Sequence, residues 1–396
     1  MTDRPRILAL FGARVIFGQE RANIAALAAL QSQGCEVLCV IRPEAWPELL
    51  ELRGMLEAEG LAWTTAPYID YPLRGWLLRV AIHNPGAYVA GNAALKRIAR
   101  TFGATHIHAF NPLYVASFYG ALRALKMPLV YRAGDKPTRH NPFYRWIWRF
   151  IVGRTACFVA DSQFIGRELE ASGVPAERIT VLYAPPPRRL DPPPVPYSAA
   201  PAGGDGIRFV FVGQIVPEKG VDLLIAAFEQ IARTQPHCEL LVAGRISEWV
   251  GDAWARALRD ATAANSALKD RVQFLGHVEN APGLIEACHV HVAPSVKEEP
   301  YGLVVVEAKS VGRPSIIFAS GGMAELVEDG VDGAIVADRT ADGLARAMEI
   351  YAASPDLARR QGANARASLA KLRLDRFAST WREVYDRAAV SRPVST

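Results

Sequence analysis

The sequence predicts an α/β protein built from two Rossmann-like domains, and three observations support this. Short apolar runs alternate with amphipathic stretches, one Pro- and Gly-rich segment interrupts the alternation, and the alternation then restarts. Strands that alternate with helices are typical of parallel βαβ units. The chain has 396 residues, which is more than one hydrophobic core usually organises, so two domains of similar size are expected.

The first half of the chain predicts a parallel sheet. Strands are expected at residues 6–10, 36–41, 106–109, 129–131 and 157–160, and a helix at 21–33 that Gly34 ends. Parallel sheets of this kind bind ligands at the carboxyl ends of their strands. Residues 1–184 are therefore interpreted as one domain with its binding side at that edge.

Residues 185–206 have no periodicity and are rich first in proline and then in glycine, which excludes a helix or a central strand. They are interpreted as the linker to a second domain at 207–375. That domain is expected to contain strands at 208–212, 239–243, 272–275, 289–293, 315–318 and 334–336, and helices at 221–233, 284–288, 303–311 and near Glu325.

The last segment, residues 376–396, is expected to form a helix and a tail. Four large side chains recur there at helical spacing and so share one face of a helix at 376–388. These residues are Phe377, Trp381, Val384 and Tyr385.

The composition indicates a globular cytoplasmic protein. Half of the residues are hydrophobic and 21% are charged, which argues against disorder. The first residues do not resemble a signal peptide, and no apolar run approaches the ~18 residues of a membrane span. The five cysteines are dispersed and odd in number, so core packing is expected for them rather than disulfides or a zinc site.

The positive charge is concentrated in the first half. Residues 1–184 contain 21 Lys and Arg against 14 Asp and Glu, whereas the remainder is slightly acidic. Within this half, residues 144–154 interleave aromatic and basic side chains at helical spacing. Two interpretations remain open: peripheral contact with the inner face of a membrane, or helices that pack their aromatic residues and solvate their arginines. No motif supports binding of nucleic acid.

The first chemical motif is the loop at residues 213–220, between a strand and a helix. Gly213 ends the strand and Gly220 leaves room where the helix starts. Lys219 lies between them, at the carboxyl end of the strand, where a phosphate group would meet a helix N-terminus. A lysine ammonium at this point suits a diphosphate, although a turn with a solvated lysine explains the same residues.

The second motif covers residues 294–308. Glu299 lies in a loop after a strand, Gly302 leads into a helix, and Glu307 lies about one turn inside it. The first N–H groups of that helix would point outward without helical partners, beside the positive end of the helix dipole. This favours a phosphate whose negative charge grows as a leaving group departs.

The spacing of Glu299 and Glu307 resembles the Glu-x7-Glu motif of the family 4 glycosyltransferases, which have the GT-B fold. Pro294-Ser295 before the motif and Ser320-Gly321-Gly322 after it are similar to that family too. The resemblance implies two Rossmann-like domains that face a cleft and a C-terminal helix that crosses back to the first domain. It implies retaining transfer of a sugar from a nucleotide-diphosphate sugar to a glycan, lipid-linked or small-molecule acceptor.

The resemblance also implies roles for individual residues. Lys219 would hold the diphosphate, Glu307 the ribose, and Glu299 would orient the sugar and support the cationic transition state. Gln214 stands where the family has an arginine, and Arg245 would supply charge in its place. The implied donor-binding residues are Gly213, Gln214, Lys219, Arg245, Tyr301, Gly302, Leu303, Val304 and Glu307.

The first domain carries the weaker part of the resemblance, on the acceptor side. The segment from Gly18 matches the position of a Gly-rich loop after the first strand, and Gly134-Asp135 stands where many members have His-Asp. No Asp-x-Asp pair occurs, so neither a metal nor a cofactor is expected. The implied acceptor or interdomain residues are Gly18, Glu20, Arg21, His108 and Asp135.

Two other functions fit the same sequence. A sugar-nucleotide epimerase or hydrolase would share the two-domain architecture but would turn over the donor without an acceptor. A binding homologue without activity is suggested by Gln214, although Lys219, Glu299 and Glu307 argue against it.

Overall fold

The computed structural model describes residues 4–12, 16, 18–44, 47–69, 85–186, 206–246 and 252–390, and these form two compact units. Unit 1 contains Met1–Pro185 and Leu374–Thr396, and unit 2 contains Pro186–Arg373. Most of the predicted linker, residues 187–205, and the predicted tail at 391–396 lie outside the described residues.

Unit 1 is built on a parallel sheet with the strand order β3-β2-β1-β4-β5-β6-β7. The order runs outward from β1 in both directions, so a reversal lies between β1 and β4, which pair directly. The strands are β1 Arg6–Leu10, β2 Glu36–Ile41, β3 Ala62–Thr65, β4 His106–Ala109, β5 Leu129–Ala133, β6 Thr155–Ala160 and β7 Ile179–Val181.

The helices of unit 1 connect these strands, and the C-terminal helix joins them from the end of the chain. They are α1 Gly18–Ser32, α2 Pro47–Ala58, α3 Pro85–Phe102, α4 Pro112–Ser117, α5 Tyr119–Ala124, α6 Pro142–Arg154, α7 Gln163–Ala171 and α14 Phe377–Val390.

Unit 2 repeats the plan with the strand order β10-β9-β8-β11-β12-β13, again parallel, and with its reversal between β8 and β11. The strands are β8 Arg208–Val212, β9 Glu239–Ala243, β10 Val272–Gly276, β11 Val290–Ala293, β12 Ser315–Phe318 and β13 Gly333–Val336. The helices are α8 Val221–Thr234, α9 Asp252–Ala264, α10 Ala281–Glu286, α11 Leu303–Ser310, α12 Ala341–Ala353 and α13 Pro355–Ser368.

Several helices begin at a cap that the sequence encodes locally. The side chains of Asn111, Asn141 and Asn280 each accept a hydrogen bond from an N–H of the first helical turn, and each of these asparagines is followed by a proline within the first two helical positions. A proline costs nothing there because its missing N–H would have no helical partner. Asn280 and Pro282 start α10 at Ala281, three residues before the predicted start.

The predicted fold class, two α/β domains with parallel sheets, is confirmed. The predicted strands are present, and the structure adds two that were not predicted, the edge strands β3 and β7. Both are short, and an edge strand has one neighbour and a partly exposed face, which weakens its hydrophobic signal. Among the described residues, no helix is both long enough and apolar enough to cross a bilayer.

The predicted return of the C-terminal helix to the first domain is confirmed, because α14 belongs to unit 1. All four residues of the predicted face, Phe377, Trp381, Val384 and Tyr385, are buried in the core of that unit. The ring of Trp381 contacts His108 of β4 with ring centroids 5.7 Å apart. The helix is therefore a part of the unit 1 core rather than an appendage.

We expect Trp381→Ala to destabilise unit 1 by about 3–5 kcal/mol, because a buried indole is lost and a cavity remains. Urea unfolding followed by circular dichroism measures the loss. Val390→Ala, at an exposed position of the same helix, is the matched control and should change stability by less than about 0.5 kcal/mol. A Trp381→Ala loss as small as that of the control would contradict the packing of α14.

Candidate functional site

The candidate site of unit 2 lies where the strand order reverses. Strands β8 and β11 are neighbours in the sheet, but the chain leaves them toward opposite sides. The loops after their carboxyl ends therefore separate and leave a crevice, the usual ligand position in open α/β sheets. Both predicted motifs follow these two strands, so the structure brings them together.

Glycines allow the two loops to touch. Gly220 has a φ of +67°, and a Cβ there would lie 2.1 Å from the carbonyl oxygen of Pro294 in the other loop. Gly244, after β9, has its Cβ position 1.6 Å from the carbonyl oxygen of Gly213. Any side chain at either position would push the loops apart.

Lys219 and Glu299 form an ion pair across this junction, from Nζ to Oε1. The same Oε1 accepts a hydrogen bond of 2.9 Å from the Ser295 hydroxyl. The side chains are 29% and 17% exposed, respectively. Both are therefore open to a ligand while they are held by partners of the protein.

The backbone of Glu299 is fixed as well. Its N–H donates to the Ser320 hydroxyl at 3.2 Å, and its carbonyl accepts from the N–H of Gly322 at 2.7 Å. The Ser320 hydroxyl in turn donates to the carbonyl of Lys297 at 2.8 Å. The loop after β12 thus holds the glutamate loop from the other side, which is a preorganised arrangement.

Helix α11 begins next to this ion pair. Gly302 precedes it with a φ of +98°, and a Cβ there would lie 2.8 Å from Cγ of Met323. The carbonyl of Gly302 already accepts from the N–H of Val305 at 2.9 Å. The N–H groups of Leu303 and Val304 belong to the first turn, where a helix offers donors and positive potential to an anion.

The side chains of Tyr301 and Glu307 are less exposed to solvent than is expected of side chains that contact a ligand directly. Tyr301 is buried, and Glu307, the fifth residue of α11, is only 8% exposed. Glu307 therefore lies on a face of the helix that packs within unit 2. Its contact with a ribose stays a prediction.

Gln214 and Arg245 lie in adjacent loops after β8 and β9. The N–H of Ile215 donates to the carbonyl of Arg245 at 3.0 Å, which ties these loops together. The Arg245 guanidinium is exposed and lies 3.3 Å from Nε2 of His277. Arg245 is thus close in the fold to the position that Gln214 occupies, as the proposed replacement of charge requires.

Sequence reasoning missed three residues that shape the site. Ser295 and Ser320 stood inside the quoted motifs, but no role was assigned to them. Arg339, in the segment after β13, has a φ of +43° and donates to the carbonyl of Val296 at 3.0 Å and to the carbonyl of Ala319. It joins the loops after β11 and β12, and its position in the sequence carries no motif that would have identified it.

On the acceptor side, Gly18 is the first residue of a helix rather than part of a loop. The helix α1 starts at Gly18, three residues earlier than predicted, so Glu20 and Arg21 are helical. Glu20 is buried and accepts from the Tyr114 hydroxyl at 3.4 Å. The Nη2 atom of Arg21 lies 3.7 Å from Oε1 of Glu51 on α2. These side chains serve packing and pairing within unit 1.

The prediction that His108 contacts an acceptor is also wrong, because the residue is completely buried. The Asn23 amide nitrogen donates to the carbonyl of Gln19 at 2.7 Å, and its oxygen lies 2.8 Å from Nε2 of His108. An amide oxygen only accepts, so Nε2 carries the proton and Nδ1 accepts from the Tyr385 hydroxyl at 2.7 Å. His108 therefore connects β4 to α1 and α14.

Burial, with a smaller contribution from Arg132, lowers the pKa of His108 to about 3. The imidazole is therefore neutral at neutral pH, which agrees with its one-proton hydrogen-bond pattern.

Two residues of the acceptor set are exposed: Gly18, where α1 begins after β1, and Asp135, just after β5 at the carboxyl edge of unit 1. Below it, Arg132 and Asp161 form a buried ion pair, and Arg132 also donates to the carbonyl of Gln19 at 3.4 Å. Burial raises the pKa of Asp161 to about 6, against the attraction of Arg132. The position of Asp135 permits contact with a ligand.

All five cysteines are free and buried, as core packing predicts. In the described part of the chain, no group of three or more His, Cys, Asp or Glu side chains is arranged to hold a metal ion.

We expect the stability contributed by neutral His108 to decrease at mildly acidic pH. The folded pKa of about 3 lies below the unfolded value of about 6.5. The unfolded chain therefore binds the proton first, and stability is lost as the pH falls from about 6.5 toward 3. At pH 5 the loss from this residue is about 2 kcal/mol.

His108→Gln should be less stable than the parent at pH 7.5 but lose about 2 kcal/mol less between pH 7.5 and pH 5. Urea unfolding at both values measures this difference. His140→Gln, at an exposed histidine, should retain the parent's pH dependence. An unchanged slope in His108→Gln would contradict the buried neutral state.

Two family models match this chain and together cover most of it. A model described as "Glycosyl transferases group 1" matches residues 199–368, and one described as "Glycosyl transferase 4-like domain" matches residues 17–185.

Two curated relatives share most of their length with the chain. The lipopolysaccharide core biosynthesis mannosyltransferase LpcC of Rhizobium leguminosarum bv. viciae is 29% identical over 287 residues, which are 71% of this chain and 77% of that protein. The alpha-D-kanosaminyltransferase of Streptomyces kanamyceticus is 28% identical over 292 residues, 68% of this chain and 73% of that protein.

Solved structures share the fold at lower identity. Anabaena Alr3699/HepE, in a crystal structure with UDP and glucose, has a TM-score of 0.79 and 20% identity over 97% of this chain and 100% of that one. The sucrose-phosphate synthase from Thermosynechococcus elongatus has a TM-score of 0.76 and 21% identity over 97% and 99%.

Proposed function

Because the chain belongs to the family 4 glycosyltransferases of GT-B fold, we propose that it transfers a sugar from a nucleotide-diphosphate sugar to an acceptor hydroxyl with retention of configuration. One observation carries this proposal. The Lys219–Glu299 ion pair lies beside the first turn of α11, at the strand reversal of unit 2. A cation, a carboxylate and helical N–H donors are thus gathered at one ligand position.

The donor is proposed to be held by its diphosphate. Lys219 and the N–H groups of Leu303 and Val304 would neutralise the phosphate oxygens, and Glu307 would bind the ribose. HepE has been crystallised with UDP and with UDP-glucose, and this supports a nucleotide sugar as the donor. The relatives named above transfer different sugars, so the sugar and the base are left to experiment.

The reaction needs no external reagent. The bond from C1 of the sugar to the β-phosphate oxygen breaks, and a bond from the acceptor oxygen to C1 forms on the same face. The acceptor proton passes to the departing phosphate, so the products are the glycoside and the nucleoside diphosphate. The protein would position the reactants and stabilise the charge that develops on the phosphate.

Without a donor, Lys219 and Glu299 neutralise one another. An ammonium has three donors, so Lys219 can keep Glu299 and still bind a phosphate oxygen. Glu299 would then face the sugar and stabilise positive charge at C1. The pair therefore links recognition of the leaving group to stabilisation of the sugar cation.

The proposal also covers the chemical class of the acceptor and the requirement for a metal. Unit 1 is proposed to bind a glycan, lipid-linked or small-molecule acceptor near Asp135. No divalent metal or cofactor is proposed, because Lys219 and the α11 N-terminus supply the positive charge that the leaving group needs. Transfer in the presence of EDTA tests this part.

We expect Lys219→Met to weaken binding of the nucleoside diphosphate by about 30-fold or more, because the phosphate loses its cation. A thermal-shift panel of UDP, GDP, ADP and dTDP with EDTA measures binding, since a ligand of the folded state raises Tm. Lys269→Met, at an exposed lysine before the amino end of β10, should retain the parent's shift. Equal shifts in both variants would contradict the role of Lys219.

We expect Glu299→Gln to reduce transfer by roughly 10²-fold while nucleoside diphosphate binding becomes several-fold tighter. The charge beside C1 is lost, but so is a carboxylate near the phosphates. Transfer assays and isothermal titration calorimetry measure the two effects, with Glu298→Gln at the exposed neighbour as control. Unchanged transfer would contradict the role of Glu299, and donor turnover without any acceptor would favour an epimerase or hydrolase.

A further inference from the structure

One segment of unit 1 is almost free of acidic residues. Residues 71–160 contain thirteen Lys and Arg but a single acidic residue, Asp135, whereas the whole chain has 45 basic and 40 acidic residues. The excess of positive charge in the first half of the sequence is thus concentrated in about a quarter of the chain. The described part of this segment, residues 85–160, includes helices α3 to α6 and strands β4 to β6.

Helices α5 and α6 present four of these cations to solvent. Arg145 and Arg149 are exposed on α6, one helical turn apart, and Arg123 and Lys126 are exposed at the end of α5 and just after it. Within the described residues, none of the four takes part in an ion pair. Their charge is therefore not neutralised within this part of the protein.

Aromatic side chains lie between these cations. Trp146 is 44% exposed, and its ring centroid lies 4.6 Å from that of Tyr119 on α5. The ring centroid of Phe150 also lies 4.6 Å from that of Tyr119. On the neighbouring α3, Val89 is 66% exposed. A partly exposed indole therefore lies on the same helix as two exposed arginines that have no ion-pair partner among the described residues.

The framework beneath this surface is rigid. Arg154 at the end of α6 donates from Nη2 to the carbonyls of Leu122, Leu125 and Met127 at 2.8–3.2 Å. The Tyr88 hydroxyl of α3 accepts from the N–H of Gly120 on α5 at 3.1 Å. Helices α5 and α6, which carry the exposed arginines and Trp146, are therefore fixed relative to one another.

We propose that the surface formed by Tyr119, Trp146, Arg123, Lys126, Arg145 and Arg149 binds the headgroup region of an anionic phospholipid bilayer. Tryptophan favours the boundary between headgroups and acyl chains, and arginines and lysines are attracted to an anionic leaflet. This basic–aromatic surface brings both features together. It does not depend on the proposed transfer chemistry.

A nucleic acid is the other polyanion that such charge would attract. Aromatic residues that bind single strands offer ring faces on which bases stack. Here the rings of Trp146 and Phe150 are tilted against Tyr119, at interplanar angles of 48° and 59°, and both already contact that ring.

Vesicle flotation tests the proposal with the full-length protein. The parent should bind vesicles of phosphatidylcholine that contain 30% phosphatidylglycerol. It should bind vesicles of phosphatidylcholine alone at least tenfold more weakly, because each cation contributes about fivefold to partitioning into an anionic membrane. Binding should weaken as the salt concentration rises. No binding to anionic vesicles, or equal binding to both compositions, would overturn the proposal.

Two variants identify the surface. The double substitution R145E/R149E should reduce partitioning about 100-fold or more, and Trp146→Ala about tenfold. The controls K269E/R360E and Ile350→Ala change exposed residues of unit 2 by the same charge or a similar area and should bind like the parent. Controls that lose binding as strongly as the surface variants would place the contact elsewhere.

Two further measurements distinguish lipid binding at this surface from a change at the active site and from binding of nucleic acid. R145E/R149E should keep the parent's Tm, because both arginines are exposed, and both variants should keep the parent's nucleoside diphosphate thermal shift, because these side chains lie in unit 1. Single-stranded DNA at equal phosphate concentration should bind more weakly than anionic vesicles. Tighter binding of DNA that the same variants abolish would replace the lipid by a nucleic acid.

Discussion

The ion pair between Lys219 and Glu299 depends on how closely two loops approach at the strand reversal of unit 2. These loops follow β8 and β11, which are neighbours in the sheet although the strands start 82 residues apart, at Arg208 and Val290. Gly220 has no room for a Cβ against Pro294, and Gly302 has none against Met323. Gly220 therefore lets the backbones of the two loops touch so that the charged groups meet, and Gly302 leaves room for the Met323 side chain at the start of α11.

This pairing has a consequence for donor binding. A lone lysine and a lone glutamate at one position would each be costly to hold partly buried, whereas together with Ser295 they satisfy one another. A diphosphate that approaches Lys219 meets the carboxylate as well, so part of the attraction is opposed before the sugar is in place. Net stabilisation would grow as the C1–O bond breaks, because Glu299 then faces a cation. Such an arrangement favours the transition state over the bound donor.

The sequence was informative about unit 2 because its site is built from short local patterns. These patterns lie in the loops that follow strands. They are a glycine before the start of a helix, a lysine in the loop after a strand, and a glutamate eight residues before another glutamate. The prediction that His108 contacts an acceptor was wrong for a physical reason. His108 lies in a central parallel strand that is covered on both faces, so every side chain of β4 is buried. Its partners, Asn23 and Tyr385, lie far away in sequence, and no local pattern indicates them.

Those distant partners also explain how the two ends of the chain are linked. A continuous series of hydrogen bonds runs from the Tyr385 hydroxyl through His108 and Asn23 to the carbonyl of Gln19 in the first turn of α1. Tyr385 and His108 are 277 residues apart. Unit 1 therefore lacks part of its core and of this buried network until the C-terminal helix is available, after unit 2 has been synthesised. Since such non-local contacts slow folding, completion of unit 1 should follow the folding of unit 2.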